Sequence, residues 1–131
     1  MNRYSLFFLR ETRSLIRIAL NKNAEQIGLL RFSTPDPRHL NPTIAYLHNV
    51  EVTPDHRNSR IGSRLLQKME MYLKINNPET EQINGVLWDD QTNPYLHQFF
   101  NKNGFELDRF NQAIYDDGIS LIDVIPLTKK I

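Results

Sequence analysis

The stretch of sequence that decides the fold is Val52-Thr53-Pro54-Asp55-His56-Arg57-Asn58-Ser59-Arg60-Ile61-Gly62-Ser63-Arg64-Leu65-Leu66. It reads as the end of a strand, a short polar loop and the start of a helix at small residues. A loop that leads into a helix N-terminus presents backbone N–H groups to a phosphate. The stretch predicts an anion-binding loop over residues 57–63; taken alone, it also fits an ordinary strand–loop–helix corner.

The residues before this loop predict four strands. Apolar residues alternate or cluster over residues 6–9, 16–20, 27–32 and 43–52, with a turn predicted at residues 21–23. Residues 33–42 are rich in proline and read as a loop. Pro54 closes the fourth strand, immediately before the polar loop.

The residues after the loop begin with an amphipathic helix. Its apolar stripe recurs every four residues, at Ile61, Leu65, Met69 and Leu73. Residues 76–78 contain two asparagines and a proline, which end it.

The last third of the chain predicts a strand, a second helix and two final strands. The strand covers residues 83–88, and Asn93-Pro94 reads as an N-cap followed by proline at the first helical position. Gly104 is suited to the position after the last turn of this helix, where the backbone commonly adopts the left-handed conformation. The final strands, 106–115 and 119–127, flank a turn at residues 116–118. The predicted order is β-β-β-β-α-β-α-β-β, a single α+β domain over residues 1–131.

The composition is that of an ordinary globular domain. The chain has 131 residues, of which 40% are hydrophobic and 24% charged. A net charge of +1 gives no reason to expect nucleic-acid binding. The apolar run near the N-terminus is too short for a signal peptide or a membrane span, so we expect a cytoplasmic protein without membrane contact. The absence of cysteine excludes disulfides, thiolate metal ligands and a cysteine nucleophile.

Two motifs in the chain match a known pattern. The first pattern is a strand ending in Val-x-Pro, followed by Arg/Gln-x-x-Gly-x-Gly/Ala at the start of a helix; here it is Val52-Thr53-Pro54 and Arg57-Asn58-Ser59-Arg60-Ile61-Gly62. The second is an Asn before a helix that ends in Gly-Phe, matched by Asn93 and Gly104-Phe105. Together, over residues 43–105, they resemble the GNAT superfamily of acyl-CoA-dependent N-acetyltransferases.

The resemblance implies a mixed, mostly antiparallel sheet flanked by helices. It implies acetyl-CoA as acyl donor, no metal, and transfer to a primary amine on a small molecule or a protein by direct attack. By the same resemblance, the residues that contact coenzyme A are Val50, Val52, Arg57, Asn58, Ser59, Arg60, Ile61, Gly62, Ser63, Asn93 and Phe100.

The chain departs from the family pattern at three places. Arg60 replaces the first glycine of the loop, although its N–H remains and its guanidinium can meet a phosphate. Phe100 stands where many members carry the Tyr that protonates the departing thiolate. Only residues 11–14 separate the first two strands, so the family's usual helical pair is missing. The acceptor cleft is then more open, or is completed by a second subunit in a homodimer.

The resemblance also directs attention to the fourth strand for catalysis. His48 lies four residues before Val52, where aralkylamine-type members place a histidine base, and Tyr46 shares its face. The alternative for His48 is a histidine that fills a half-polar strand face. Glu51 points to the opposite face unless a bulge intervenes, and such a bulge is common in this family. A backbone N–H near Val50 is the expected oxyanion donor.

Two other side chains, Trp88 and His97, each have two possible roles. Trp88 borders the cofactor or acceptor, or anchors the core. His97 relays a proton through water, or is a surface histidine; Tyr95 lies too far round the helix to replace the missing acid. For the whole chain, the alternatives to an N-acetyltransferase are a non-catalytic acyl-CoA-binding domain, or a small interaction module whose loop binds no cofactor.

Overall fold

The computed structural model of this chain describes residues 3–36, 38, 42–57, 59–89, 95–116, 118–119 and 121–131. The strands in these ranges are β1 (Tyr4–Arg10), β2 (Leu15–Lys22), β3 (Glu25–Ser33), β4 (Ile44–Val52), β5 (Gln82–Asp89), β6 (Glu106–Leu107), β7 (Ala113–Asp116) and β8 (Leu121–Lys130). The helices are α1 (Ile61–Asn76) and α2 (Leu96–Lys102).

The strands form one mixed sheet. Its order is β1-β2-β3-β4-β5-β8-β6, and β7 pairs with β8. β4 and β5 are parallel, and the other pairs in the described part of the chain are antiparallel. The parallel pair is joined by α1, as a crossover connection requires. The predicted mixed, mostly antiparallel sheet with flanking helices is confirmed.

The core lies on one face of the sheet, which we call the helix face. The apolar stripe predicted for α1 is buried, with Leu65, Met69 and Leu73 at most 1% exposed. Alternate strand residues face it, including Ile18, Leu30 and Ile83, and α2 adds Phe100 to the same cluster. Full burial of one such side chain contributes roughly 1.5–3 kcal/mol, so this face provides the main stabilisation of the fold.

The other face, which we call the open face, carries no helix in the described ranges. Only residues 11–14 connect β1 to β2, so the helical pair is missing there, as predicted. Large apolar side chains are exposed on this face, among them Phe7, Tyr46 and Trp88. An antiparallel sheet tolerates one solvated face, but aromatic side chains are not its usual occupants.

The predicted strand over residues 106–115 is wrong, because a 3₁₀ turn at Arg109–Asn111 divides it into β6 and β7. The cause is Asp108. Its carboxylate accepts hydrogen bonds from the backbone N–H groups of Phe110 and Asn111 and from the side chain of Asn111. These bonds, chiefly the one from the Asn111 side chain, lower the pKa of Asp108. A side chain that satisfies nearby N–H groups competes with strand pairing.

The predicted turn at residues 21–23 begins two residues too early. β2 continues to Lys22, and the turn is made by Asn23 and Ala24, with φ of 52° and 70°. Two successive positive φ angles match the twist of a tight hairpin. The predicted N-cap of α2, Asn93, lies outside the described residues. α2 is described from Leu96, with Tyr95 in the N-cap position.

Candidate functional site

A gap opens in the sheet between β4 and β5. The two strands pair only from Ile44–Gln82 to Leu47–Gly85, whereas β3 stays paired with β4 as far as Val52. From residue 48 onward, β4 therefore has a partner on one side only. We call the space beside residues 48–52, on the β5 side, the gap.

The backbone of Val50 and Val52 faces the gap. The N–H of Thr53 donates to the carbonyl of Ile27 on β3, over 2.9 Å. Backbone groups of successive strand residues point to alternate sides, so the groups of Val52 and Val50 point away from β3. The guanidinium of Arg57 donates to the carbonyl of Val52 from that side, over 3.3 Å. The N–H of Val50 thus points into the gap, and its role as an oxyanion donor stays a prediction.

A cavity of about 1130 Å³ adjoins the gap. Its walls are residues 26–29 of β3, residues 50–52 of β4, the loop after β4, residues 60–63 and one face of α2. The predicted contacts that line it are Val50, Val52, Arg57, Arg60, Ile61, Gly62 and Ser63. Asn58 and Asn93 lie outside the described residues, and their contact with coenzyme A stays a prediction.

The first backbone N–H groups of α1 lie at the cavity wall without a side-chain cap. Arg60 occupies the N-cap position without a side-chain cap, so it leaves the first N–H groups of α1 to another partner. Those groups belong to residues 61–63, which line the cavity. The hydroxyl of Ser59 donates to the carbonyl of His56, so this hydrogen bond stabilises the loop itself. Its predicted contact with coenzyme A stays a prediction.

Arg60 adopts the left-handed conformation, with φ of 65° and ψ of 15°. This conformation costs a non-glycine residue on the order of 1–3 kcal/mol. It explains why the family pattern has glycine at this position. In this chain Arg60 tolerates the strain and lines the cavity.

Replacement of Arg60 by glycine is expected to have opposite effects on stability and binding. Arg60→Gly should raise the free energy of unfolding by about 1 kcal/mol, because the strain is relieved. It should weaken coenzyme A binding by roughly 10-fold or more, because a charge-assisted contact is lost. Thermal unfolding and calorimetric titration measure the two effects. A variant that binds coenzyme A as tightly as wild type would show that Arg60 makes no phosphate contact.

Gly62 allows α1 and α2 to approach each other. A Cβ at this position would lie 2.8 Å from Cε2 and 2.9 Å from Cζ of Phe99. Real Cβ atoms do not come this close to a ring, so any side chain must displace Phe99. Gly62 therefore keeps the cavity wall in place as well as leaving access to the helix N–H groups.

The face of α2 that lines the cavity is Tyr95, Gln98, Phe99 and Lys102. Phe100 lies off this wall, 5% exposed in the core, with ring centroids 5.1 Å from Phe99 and 5.6 Å from Phe105. The structure thus places Phe100 with the core, and its contact with the cofactor stays a prediction. His97 is also away from the cavity wall: it bonds Asp89, and the guanidinium of Arg109 donates to its Nδ1 over 2.6 Å.

His48 is the extra residue of a bulge in β4. Arg31 pairs with Asn49 and Phe32 with Leu47, which leaves His48 without an opposite residue on β3. Its Nε2 lies 2.5 Å from the hydroxyl of Ser33. Ser33 is on the open face, because Leu30 and Phe32 face the core. The imidazole therefore lies on the open face where the gap begins.

The bulge also decides the position of Glu51. Its register partner is Leu29, which alternates with the core residue Leu30, so Glu51 lies on the open face. The sequence placed Glu51 opposite His48 unless a bulge intervened; the bulge is present at His48, and both residues share the open face. Tyr46 is on this face too, paired with Ser33.

Three features of the cavity were missed in the sequence. His56 lines the cavity and lies with its Nδ1 2.9 Å from the Thr53 hydroxyl, although we predicted no role for it. Lys102 was missed as well, yet it shares the face of Tyr95 and Gln98, at helical spacing. The contribution of β3, through residues 26–29, had no signal in the sequence because it depends on strand pairing.

Two negative findings apply to the described ranges. No group of three metal-binding side chains is assembled there. None of the helices described is long and apolar enough to cross a bilayer.

The sheet of this chain splays beside a helix N-terminus, and a second helix closes the cavity. The family pattern described as "Acetyltransferase (GNAT) domain" matches residues 12–107. The chain belongs to the GNAT acetyltransferase family. None of the curated protein sequences matches it.

Solved structures show the same fold at low sequence identity. A GNAT family acetyltransferase from Streptococcus pneumoniae has a TM-score of 0.73 at 16% identity, over 92% of this chain and 70% of that one. A GNAT family acetyltransferase from Elizabethkingia anophelis, with acetyl-CoA bound, has 0.69 at 16% identity, over 98% of both chains. PaiA N-acetyltransferase from Thermoplasma acidophilum, in complex with coenzyme A, has 0.66 at 17% identity, over 90% of this chain and 62% of that one.

Proposed function

We propose that this protein binds acetyl-CoA in the cavity beside α1 and transfers the acetyl group to a primary amine by direct attack. The observation that carries the proposal is the gap, which leaves the outward-facing backbone of Val50 and Val52 without a strand partner. This backbone continues into an uncapped helix N-terminus on the same cavity wall.

The cavity fits the chemistry of coenzyme A. Arg57, Arg60 and Lys102 place three cationic side chains on its wall, beside the positive end of the α1 dipole. A pyrophosphate bonds to such N–H groups without need of a strongly basic protein. The amide groups of a pantetheine arm suit the N–H and C=O groups of Val50 and the N–H of Val52, as an added strand would. The carbonyl of Val52 already accepts from the guanidinium of Arg57.

Acetyl-CoA supplies a thioester, whose carbonyl is open to attack by an amine. The N–H of Val50 is the donor for the carbonyl oxygen, which gains negative charge when the amine adds. A fixed backbone donor of this kind typically lowers the barrier by about 3–4 kcal/mol. Val50 N–H requires no movement for this role, because β3 holds the strand in register.

His48 is the base in this proposal. An amine attacks only as a neutral group, so a proton must leave the ammonium before or during attack. His48 accepts that proton at Nδ1, since Nε2 is engaged with the Ser33 hydroxyl. Glu51, on the same face, offers a carboxylate that attracts the ammonium toward the gap.

The departing thiolate has no tyrosine hydroxyl at position 100. Phe100 is buried against Phe99 and Phe105 and supplies no proton. A thiol has an ordinary pKa near 8.5, so its anion is a tolerable leaving group and takes a proton from water. The same residue supports the second candidate, an acyl-CoA-binding domain without catalysis.

Thiol release decides between the two candidates. With acetyl-CoA and a panel of primary amines, we expect amine-dependent release of the coenzyme A thiol by wild type. Phe100→Tyr should preserve or raise this rate, but a hydroxyl added in the core costs about 1–3 kcal/mol of stability if it finds no partner. Melting temperatures of both proteins control for this cost. Tight coenzyme A binding without turnover in either protein would support the binding domain.

A further inference from the structure

An aromatic pair lies on the open face next to the gap. Trp88 and Tyr115 make an edge-to-face contact, with ring centroids 5.6 Å apart. Trp88 is 54% exposed and Tyr115 is 50% exposed. The sequence left open whether Trp88 anchors the core, and its exposure rules this out.

The position of this pair follows from strand register. Leu87 is buried on the helix face, so its neighbour Trp88 lies on the open face. β4 and β5 no longer pair beyond Gly85, so Trp88 is on the β5 side of the gap. His48 and Glu51 lie across from it on the β4 side. An amine at His48 would thus have an aromatic surface on one side and a carboxylate on the other.

The shape of the described surface favours an extended acceptor over a small one that is held by enclosure. Small-molecule sites are concave and cover most of the surface of their ligand. The open face is a sheet surface, and no described helix stands over it. Exposed Trp and Tyr side chains are instead the residues that dominate contacts between proteins.

Charge on the open face is also arranged for an extended partner. Glu51 lies next to the gap, and an ammonium group complements it. Farther out, Arg17 and Arg31 share the single carboxylate of Glu11, at 3.7 and 3.1 Å, which leaves one positive charge in excess. A chain that brings its amine to Glu51 and lies along the face meets apolar, then cationic, side chains.

From these observations we infer that the acceptor is a polypeptide, which docks on the open face with an apolar residue against Trp88 and Tyr115 and its amine at the gap. The inference rests on the proposed function, whose acceptor it specifies. It concerns a polypeptide amine in general, whether at an N-terminus or on a lysine side chain.

The test compares acceptors in two matched pairs, and within each pair the same kind of amine is attached to a short and to a long chain. The lysine pair is Nα-acetyl-lysine methylamide and a ten-residue peptide with a blocked N-terminus and one lysine beside a leucine. The N-terminal pair is alanine methylamide and a ten-residue peptide that begins with alanine and leucine and has no lysine. In at least one pair the peptide should exceed the small amide in kcat/KM by roughly 10-fold or more. Tyr115→Ser and Trp88→Ala should each bring this ratio close to one. Ile75→Ser, on the exposed side of α1, is the matched control and should leave the ratio unchanged.

Each result has a distinct meaning. A peptide preference that disappears in both aromatic variants supports docking on the open face. Equal kcat/KM for the small amide and the peptide in both pairs overturns the docking inference but leaves the acetyltransferase intact. A wild-type dimer that Trp88→Ala converts to a monomer, with no change in either ratio, overturns it in favour of a second copy on this face. No turnover with any of these acceptors, or with the amine panel, contradicts the proposed function itself.

Discussion

His48→Ala is expected to lower kcat for amine acetylation by roughly 100-fold or more, because general-base assistance is typically of that size. Coenzyme A binding should change little, since His48 lies outside the cavity wall. The measurement is thiol release against pH. Thiol release should be slower in the variant than in wild type across the pH series.

Two controls separate a base from a structural residue. His48→Gln keeps a polar side chain that can bond Ser33 but cannot act as a base at neutral pH. It should be as slow as His48→Ala if proton transfer is the role. Added imidazole should restore part of the rate of His48→Ala. Equal pH profiles for wild type and both variants would remove His48 from the mechanism and direct attention to Glu51.

Gly62→Val is expected to weaken coenzyme A binding by roughly 10- to 100-fold, as overpacking of a well-packed site costs about 1–3 kcal/mol. The Cβ alone would lie 2.8 Å from the Phe99 ring, so α2 must move away from α1. The cavity wall would be displaced, and access to the first N–H groups of α1 would be reduced. Calorimetric titration with coenzyme A gives the affinity, and thermal unfolding shows whether the variant is folded.

The Phe99 contact can be tested by a compensating change. Gly62→Ala adds only the colliding carbon, and we expect a smaller loss of affinity than for valine. Combined with Phe99→Leu, which removes the ring, Gly62→Ala should recover part of that loss. A folded Gly62→Val protein with wild-type affinity would place coenzyme A elsewhere.

The sequence predicted what depends on local periodicity. The four-residue recurrence from Ile61 to Leu73 places one helix face in the core whatever its neighbours are, and this stripe is buried. The loop from Arg57 to Ser63 could be located from the sequence because strand, loop and helix follow one another directly. The resemblance implied a splay in β4, and β4 indeed loses its pairing with β5 after Leu47; the role of the Val50 N–H stays a prediction.

The features that could not be predicted from the sequence depend mainly on contacts between residues that are distant in the chain. The bulge at His48 exists only in the register of β4 against β3, so neither strand alone indicates it. Phe99 and Phe100 are adjacent and equally apolar, and only the rotation of α2 against Phe105 and Gly62 decides which one lines the cavity. The break at Asp108 arises from a side chain that caps the next two N–H groups, which competes with a strand-like sequence.

The openness of one sheet face is a consequence of the short β1–β2 connection. Residues 11–14 leave no room for helices, so the side of the gap that carries His48 and Glu51 is accessible in the described structure. In the proposed function, acetyl donor and acceptor reach the gap from different faces. This separation links the fold to the proposed direct attack, since both reactants are present at once.

A crystal structure of the protein with acetyl-CoA is the most direct test of whether the donor binds in the cavity with its thioester at the gap. We expect the pyrophosphate at the N–H groups of residues 61–63. The acetyl oxygen should lie within hydrogen-bond distance of the Val50 N–H, about 3 Å. The methyl group and carbonyl carbon should be reachable from the open face beside His48. An acetyl-CoA molecule bound outside the cavity, or with its thioester away from the gap between β4 and β5, would contradict the account.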